Sequence, residues 1–438
     1  MISVEDLYAL YKKCTGLTTD SRQIKDGVMF FALKGEKFDG NDFAEDALKA
    51  GAKYAVVDRF LLEGTSYRGR KCIVVENTLD MLQRLAAYHR REFDIPVVGI
   101  TGTNGKTTTK ELVSAVLARK YEIVATQGNF NNHIGVPLTL LRIDEKTDIA
   151  VVEMGASAPG EIIALTKVSQ PTCGLITCVG KAHLQGFGSF EGVKKTKGEL
   201  YDYLRQKGGV VFYNADSEHL REMVAHRTGL RTRKYGVRLQ NAKVLQATAE
   251  RPFLTIELEH EGKSFTISTK LVGDYNADNV MAALAVGEFF EVPFTECVKA
   301  IEAYTPSNSR SQMVKTKLNT LIIDAYNANP SSMGAALDNF AGTAFENKVL
   351  MLGDMLELGE DSQAEHARIL QKALEVTSRV FLVGDEFNKA AHALGKAVPC
   401  FPDIEGLKTY VEENPIEGST ILIKGSNGKH MKEVVPAL

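Results

Sequence analysis

The stretch Val97-Val98-Gly99-Ile100-Thr101-Gly102-Thr103-Asn104-Gly105-Lys106-Thr107-Thr108-Thr109 joins a short apolar run to a glycine turn, a lysine and a row of threonines. Lys110 to Arg119 continues with a helical pattern, so the order is strand, turn, helix. Glycines let the backbone wrap closely around a phosphate, and the free N–H groups at a helix start point towards it. Lys106 adds a full positive charge, and the Thr107 hydroxyl is a ligand type suited to Mg2+. Gly102, Thr103, Asn104, Gly105, Lys106, Thr107 and Thr108 are therefore the expected cradle for the phosphates of ATP. The spacing departs from the strict G-x-x-x-x-G-K-[ST] form, because Ile100 stands where the first glycine belongs and Gly99 lies one residue earlier.

Outward from this loop the same grammar recurs. Ile149 to Met154, Gly174 to Val179 and Val210 to Tyr213 are further apolar runs, as expected of a mostly parallel sheet covered on both faces. Residues 241 to 272 switch to alternation, as in Phe253 to Leu258 and Phe265 to Ile267, and read as an antiparallel annex to that sheet. Before the loop, Val28 to Leu33, Tyr54 to Val57 and Cys72 to Val75 suggest a small α/β module. A helix over Leu79 to Arg91 then leads to Asp94-Ile95-Pro96, where the proline disfavours helix in the residue before it and marks an expected domain boundary. Thr305-Pro306-Ser307-Asn308-Ser309 reads as a linker. Beyond it, Leu321 to Asp324, Val349 to Asp354, Val380 to Asp385 and Ile421 to Gly425 each run from an apolar strand into a polar or glycine turn, the design of a Rossmann-like sheet. The expected fold class is α/β in three domains: an N-terminal module over 1–94, a central P-loop domain over 95–305 and a C-terminal Rossmann-like domain over 306–438.

The 438 residues suit two or three domains, and 44% hydrophobic with 24% charged residues is the composition of a globular protein that folds without staples. A net charge of -3 and the lack of a basic patch argue against nucleic acid as a partner. The six cysteines form no C-x-x-C pair and are expected to be reduced. No apolar run approaches the roughly 20 residues of a membrane span, so a cytoplasmic location is expected.

Glu153 closes one apolar run and His183 follows another, so both should emerge near the loop, where a carboxylate and an imidazole beside a triphosphate suggest Mg2+ ligation. Each has a plainer reading: Glu153 as a helix cap, His183 as an ordinary loop histidine. The cluster Asn129-Phe130-Asn131-Asn132-His133 is dense in turn formers, though amides also bind phosphate or sugar oxygens. Lys194, Lys195 and Lys197 lie in a charged helical stretch whose default reading is a solvated face.

Taken together these residues resemble the Mur ligase superfamily, end to end. The general motifs are Thr101 to Thr108, Glu153-Met154-Gly155, Ala182-His183-Leu184, Lys197-Gly198-Glu199 and Asn276-Ala277-Asp278-Asn279. Narrower signals are Asp20-Ser21-Arg22, Phe31 to Gly35 with Phe38-Asp39-Gly40, Asn131 to Pro137, Tyr326 to Pro330 and Leu352 to Gly359; these resemble the MurF branch. The D-N-P-R signature typical of the MurE branch is missing. The resemblance implies ligation of D-alanyl-D-alanine to UDP-MurNAc-tripeptide with ATP and Mg2+, through an acyl phosphate. It implies catalytic roles for Lys106, His183, Lys197 and Asn132, and metal contacts from Thr107, Glu153, His183 and Lys197, the last matching a position that is carbamylated in many relatives. It further implies nucleotide contacts from Asn276, Asn279, Arg310 and Asp324, uridine-diphosphate contacts from Ser21, Arg22 and Lys34, and substrate contacts from Asn327, Asn329, Lys424 and Ser426. Two departures are Tyr275, where many relatives have histidine, and Asn427, where arginine is common. A monomer is expected. The rival readings are another amino-acid ligase of the superfamily, MurE-like or folylpolyglutamate synthase-like, and a nucleotide-binding regulatory module that is not a ligase.

Overall fold

In the computed structural model the described residues are 2–59, 71–248, 250–306 and 310–438. Ser307, Asn308 and Ser309 of the expected linker lie outside them. After the helix Val4–Tyr11, the first module is a parallel sheet of β1 (Leu17–Thr18), β2 (Met29–Phe31), β3 (Tyr54–Val57) and β4 (Cys72–Val74), in that order. Its two faces separate by strand alternation: Phe30 and Ala32 pack with Ala44, Ala47 and Leu48, whereas Met29 and Phe31 turn towards Leu82 and Leu85. Those leucines belong to the helix Thr78–Arg91, started by the Asn77 side chain, which accepts the Asp80 N–H. This helix also packs on the helices Gly135–Leu140 and Glu161–Ser169, so it joins the first module to the next.

The central sheet contains β5 (Val97–Thr101), β6 (Ile123–Ala125), β7 (Ile149–Glu153), β8 (Cys173–Ile176), β9 (Val210–Asn214) and β10 (Arg231–Tyr235), all parallel, in the order β10-β9-β8-β5-β7-β6. Alternate residues of each strand feed opposite cores: Val97, Val152 and Val211 one, Val98, Val151 and Phe212 the other. Double coverage explains why β5, β7 and β9 are buried throughout and read as unbroken apolar runs.

The expected antiparallel annex is a three-stranded sheet of its own, β11 (Lys243–Leu245), β12 (Thr255–His260) and β13 (Lys263–Ser268). Glu261 and Gly262, both with positive φ, make the tight hairpin turn between β12 and β13. Its apolar face, including Ile256 and Ile267, shares the core of Val280 and Leu284 without laddering onto the central strands.

The last sheet has β14 (Gln312–Lys315), β15 (Thr320–Asp324), β16 (Lys348–Gly353), β17 (Val380–Val383), β18 (Cys400–Phe401) and β19 (Thr420–Lys424), in the order β14-β15-β19-β16-β17-β18. Only β14 is antiparallel. The final strand is thus inserted between β15 and β16, which sets Lys424 directly beside Asp324. All six cysteines are free, and among the described residues no helix is long and apolar enough to cross a membrane.

Candidate functional site

β5 lies between β7 and β8, and the chain leaves it for strands on both sides. A crevice opens at the carboxyl ends of such a switch point. Register places Glu153 of β7 beside Ile100, and Ile176 of β8 beside Thr101. Two glycines shape the loop between them. Gly102 has φ +145°, and a Cβ there would collide with the Thr177 hydroxyl; Gly105 has φ +78° and faces the Asn279 amide. The Lys106 ammonium curls back and donates to the carbonyls of Gly102 (2.9 Å) and Thr103 (3.0 Å). Burial lowers its pKa, with the Glu153 carboxylate working the other way.

Glu153 is almost wholly buried, yet it forms no ion pair with a lysine or arginine among the described residues. Its oxygens accept instead from the Thr107 hydroxyl (2.8 Å) and the Asn131 amide (2.7 Å). An anionic oxygen beside a hydroxyl, at the rim of a phosphate-shaped loop, is a donor set that fits Mg2+, which is usually bound by one or two protein oxygens plus phosphates and water. Asn131 escaped the sequence reading. Its neighbour Asn132 was chosen, and Asn132 accepts from the N–H groups of Ile134 and Gly135 at the next helix start while also lining the crevice. A run of adjacent asparagines holds no signal of which amide turns inward.

Lys197 corrects the expectation of a solvated face. It is 2% exposed, its ammonium donates to the Ala156 carbonyl (3.2 Å), and burial, helped by the charge of Lys106, lowers its pKa to about 7. Lys194, by contrast, pairs with Glu191 and Glu222 at the surface of the same helix. His183 has φ +49°, and its Nδ1 pairs with Glu357 of the C-terminal sheet's loops.

On the other side of the P-loop runs a chain of amides. Thr109 donates to Asn279 Oδ1 (2.9 Å), Asn279 to Asn276 Oδ1 (2.9 Å), and Asn276 to the Val272 carbonyl (2.9 Å) and Ser311 hydroxyl (3.2 Å). Asn276 and Asn279 are thus engaged in holding the loop's helix against the residues that precede the last sheet. Tyr275 meets Ser311 through its hydroxyl (3.1 Å), and the Arg310 guanidinium lies 3.7 Å from the Tyr326 ring centroid. The Lys424 ammonium, 1% exposed, is held by Asp324 (2.6 Å).

A cavity of about 720 Å3 gathers these groups, with Gln83 from the first module, the P-loop and its flanking strands, and Arg310 to Lys424 from the last. Thr103, Asn104, Gly105, Lys106, Thr108, Asn132, Glu153, His183, Asn276, Asn279, Arg310, Asp324, Asn327 and Lys424 line it. Gly102, Thr107, Lys197, Asn329 and Ser426 stand behind that lining. Asn329 starts the helix Pro330–Gly342 and pairs amide to amide with Asn104 (2.8 Å and 3.4 Å), and Ser426 accepts from the Leu356 N–H. Ser21, Arg22 and Lys34 do not line the cavity. Arg22 is largely exposed and folds onto Asp20, which its charge and hydrogen bonds hold at a pKa of about 2. The sequence reading also missed Lys181, whose N–H donates to the Ser331 hydroxyl and whose ammonium pairs with Glu365 (2.8 Å). That contact spans the central and last sheets, and no local pattern announces it.

The chain can be compared with known proteins on this basis. Residues 13–90 match the Mur ligase family, catalytic domain; 100–287 match the Mur ligase middle domain; and 309–427 match the Mur ligase, glutamate ligase domain. It is 35% identical to the UDP-N-acetylmuramoyl-tripeptide--D-alanyl-D-alanine ligase of Bacillus subtilis, over 97% of this chain and 93% of that protein. Identity to the Escherichia coli ligase of the same name is 34%, over 96% and 93%. MurF of Acinetobacter baumannii superposes with a TM-score of 0.85 at 26% identity, covering 99% of this chain and 98% of that one. MurF of Thermotoga maritima, solved in complex with ADP, gives 0.83 at 26% identity and 96% of each chain. With likeness running the full length in both sequence and structure, the chain belongs to the Mur ligase family, in its MurF branch.

Proposed function

We infer that the chain is an ATP-dependent ligase that joins D-alanyl-D-alanine to UDP-MurNAc-tripeptide, yielding UDP-MurNAc-pentapeptide, ADP and phosphate in peptidoglycan precursor synthesis. The observation that carries this reading is the full-length likeness to ligases of that name, together with one cavity built by all three modules around a P-loop.

The tripeptide's terminal carboxylate attacks the γ-phosphorus of ATP, and the bond to the β-γ bridging oxygen breaks, releasing ADP and an acyl phosphate. The dipeptide amine attacks the acyl carbon, phosphate leaves, and the amine's proton passes to solvent or a nearby base. No protein nucleophile is needed. The work of the chain is alignment and charge neutralisation. Lys106 exchanges its two carbonyl partners for phosphate oxygens, and the N–H groups of the loop complete the cradle. Thr107 and Glu153 would hold one Mg2+, and His183 and Lys197 a second; bound Mg2+ supplies positive charge to the transferring phosphoryl group. Burial pushes the Lys197 pKa down to about 7 and so favours the neutral amine, the form that can attack CO2, lose a proton and become a carbamate, an anionic oxygen ligand. Asn132 serves at the γ-phosphate, Asn276, Asn279, Arg310 and Asp324 on the nucleotide side, and Asn327, Asn329, Lys424 and Ser426 on the dipeptide side. Ser21, Arg22 and Lys34 take the uridine diphosphate from the first module, residues 1–94, while 95–305 carry ATP and 306–438 contact both the nucleotide and the dipeptide. The chain acts as a monomer in this reading, and its substrates put it in the cytoplasm.

Mass spectrometry of the product tests this reading. With ATP and Mg2+, the muramoyl tripeptide should gain one D-alanyl-D-alanine less one water; an unchanged tripeptide under those conditions, with folded protein, would refute it.

A further inference from the structure

The segment Leu352-Gly353-Asp354-Met355-Leu356-Glu357-Leu358-Gly359 stood out in the sequence, yet the reaction as described uses none of it. Its first two residues end β16, and the loop that follows is pinned at Asp354, Met355, Leu356 and Leu358. The buried Asp354 carboxylate accepts from the N–H groups of Glu386 (3.2 Å) and Phe387 (2.9 Å) and pairs with Lys429 (3.1 Å). The Met355 N–H donates to His366 Nε2 (3.0 Å), the Leu356 N–H to the Ser426 hydroxyl (3.1 Å), and the Leu358 side chain is buried. Glu357, the residue left over, has φ +64°. A non-glycine residue holds that conformation only where its surroundings impose it, and such positions gather at functional sites. Its carboxylate crosses from the last module to His183 Nδ1 of the central one, and His183 too has positive φ, +49°. Two strained residues on different modules therefore meet side chain to side chain.

We propose that Glu357 is a positioning residue for His183, fixing its imidazole so that Nε2 faces the second Mg2+. The proposal rests on the reading of His183 as a metal-side group. The Glu357 side chain is 59% exposed, and an ion pair that open contributes little to stability, so stabilising the fold does not explain the strain. Orientation does. A carboxylate beside Nδ1, a buried nitrogen with no other hydrogen-bond partner, favours the proton there and leaves the lone pair on Nε2, the arrangement that histidine ligands commonly receive from a second carboxylate. Because Glu357 comes from the last module, the imidazole is set only when that module lies against the P-loop. This gives the motif a role in coupling module position to readiness for phosphoryl transfer.

The test uses the full chain with a non-hydrolysable ATP analogue and Mn2+ as the probe, titrated by electron paramagnetic resonance. The parent, E357A, E357Q, H183A and the H183A/E357A double variant are compared, with melting temperature as the control for folding. E357A should weaken the second Mn2+ by roughly 10- to 100-fold, the usual range for losing such a partner, and leave the first untouched. E357Q, whose amide oxygen still accepts the Nδ1 proton, should recover most of that loss, and E357A should add nothing once His183 is gone. Unchanged second-site affinity in E357A, or losses that multiply in the double variant, would overturn the proposal. If H183A itself bound Mn2+ like the parent, the metal reading of His183 would fail and Glu357's role with it.

Discussion

Lys106 shows how a single side chain is kept ready. With both of its hydrogen bonds made to carbonyls of its own loop, the ammonium is held over the place where phosphate oxygens belong, and anionic oxygens outcompete neutral ones for it. Lys106→Ala should lower phosphate release by about 10³-fold, the scale on which charge groups act in phosphoryl transfer, while thermal melting stays near that of the parent; retained turnover would mean that the loop does not hold ATP. Asn131 acts one step removed, by fixing Glu153. Asn131→Ala should raise the Mg2+ concentration for half-maximal activity about tenfold, and an unchanged Mg2+ curve would show that Glu153 needs no such support. At Lys197, ¹³C-bicarbonate should produce a carbamate resonance that Lys197→Ala lacks; identical spectra would remove the carbamate from the account.

The helix Thr78–Arg91 ties the first module to the central one, and His89 sits at the joint. Its Nε2 meets the Ile143 carbonyl (2.8 Å) and its Nδ1 the Tyr8 hydroxyl (3.2 Å). Burial lowers its pKa from 6.5, so the folded chain resists a proton that the unfolded chain accepts. The resulting stability is fully present above that value and is lost as pH falls towards the folded pKa. His89→Gln should cost about 1–2 kcal/mol at neutral pH and melt with a shallower acid dependence than the parent; parallel curves would contradict this. Elements differ in how far sequence reveals them. β5, β7, β9, β16 and β19 are buried nearly throughout and announce themselves as apolar runs. β10 reads Arg-Thr-Arg-Lys-Tyr and is held at the sheet edge by its ladder to β9, with only Tyr235 buried, so composition hides it. The insertion of β19 between β15 and β16 is a non-local pairing that no local pattern encodes. In the site, the P-loop and Glu153 were legible because the one leaves β5 directly and the other ends β7, and His183 lies in the turn beyond β8, whereas the burial of Lys197 depends on how its whole helix packs.

Over the whole molecule, the central and last modules meet along a polar seam: Asn104 with Asn329, Lys181 with Ser331 and Glu365, and His183 with Glu357. Such contacts are made and broken more readily than an apolar interface, which suits a site that must admit two substrates and a nucleotide and then exclude water. The cavity they enclose is walled by the central and last modules, with Gln83 reaching in from the first, so catalysis should wait until every module has its substrate. Phosphate release therefore tests the central claim most directly. With ATP and Mg2+, sustained release should require UDP-MurNAc-tripeptide and D-alanyl-D-alanine together, and neither glutamate nor lysine should replace the dipeptide. Release that ignores either substrate, or accepts those amino acids equally well, would contradict the account.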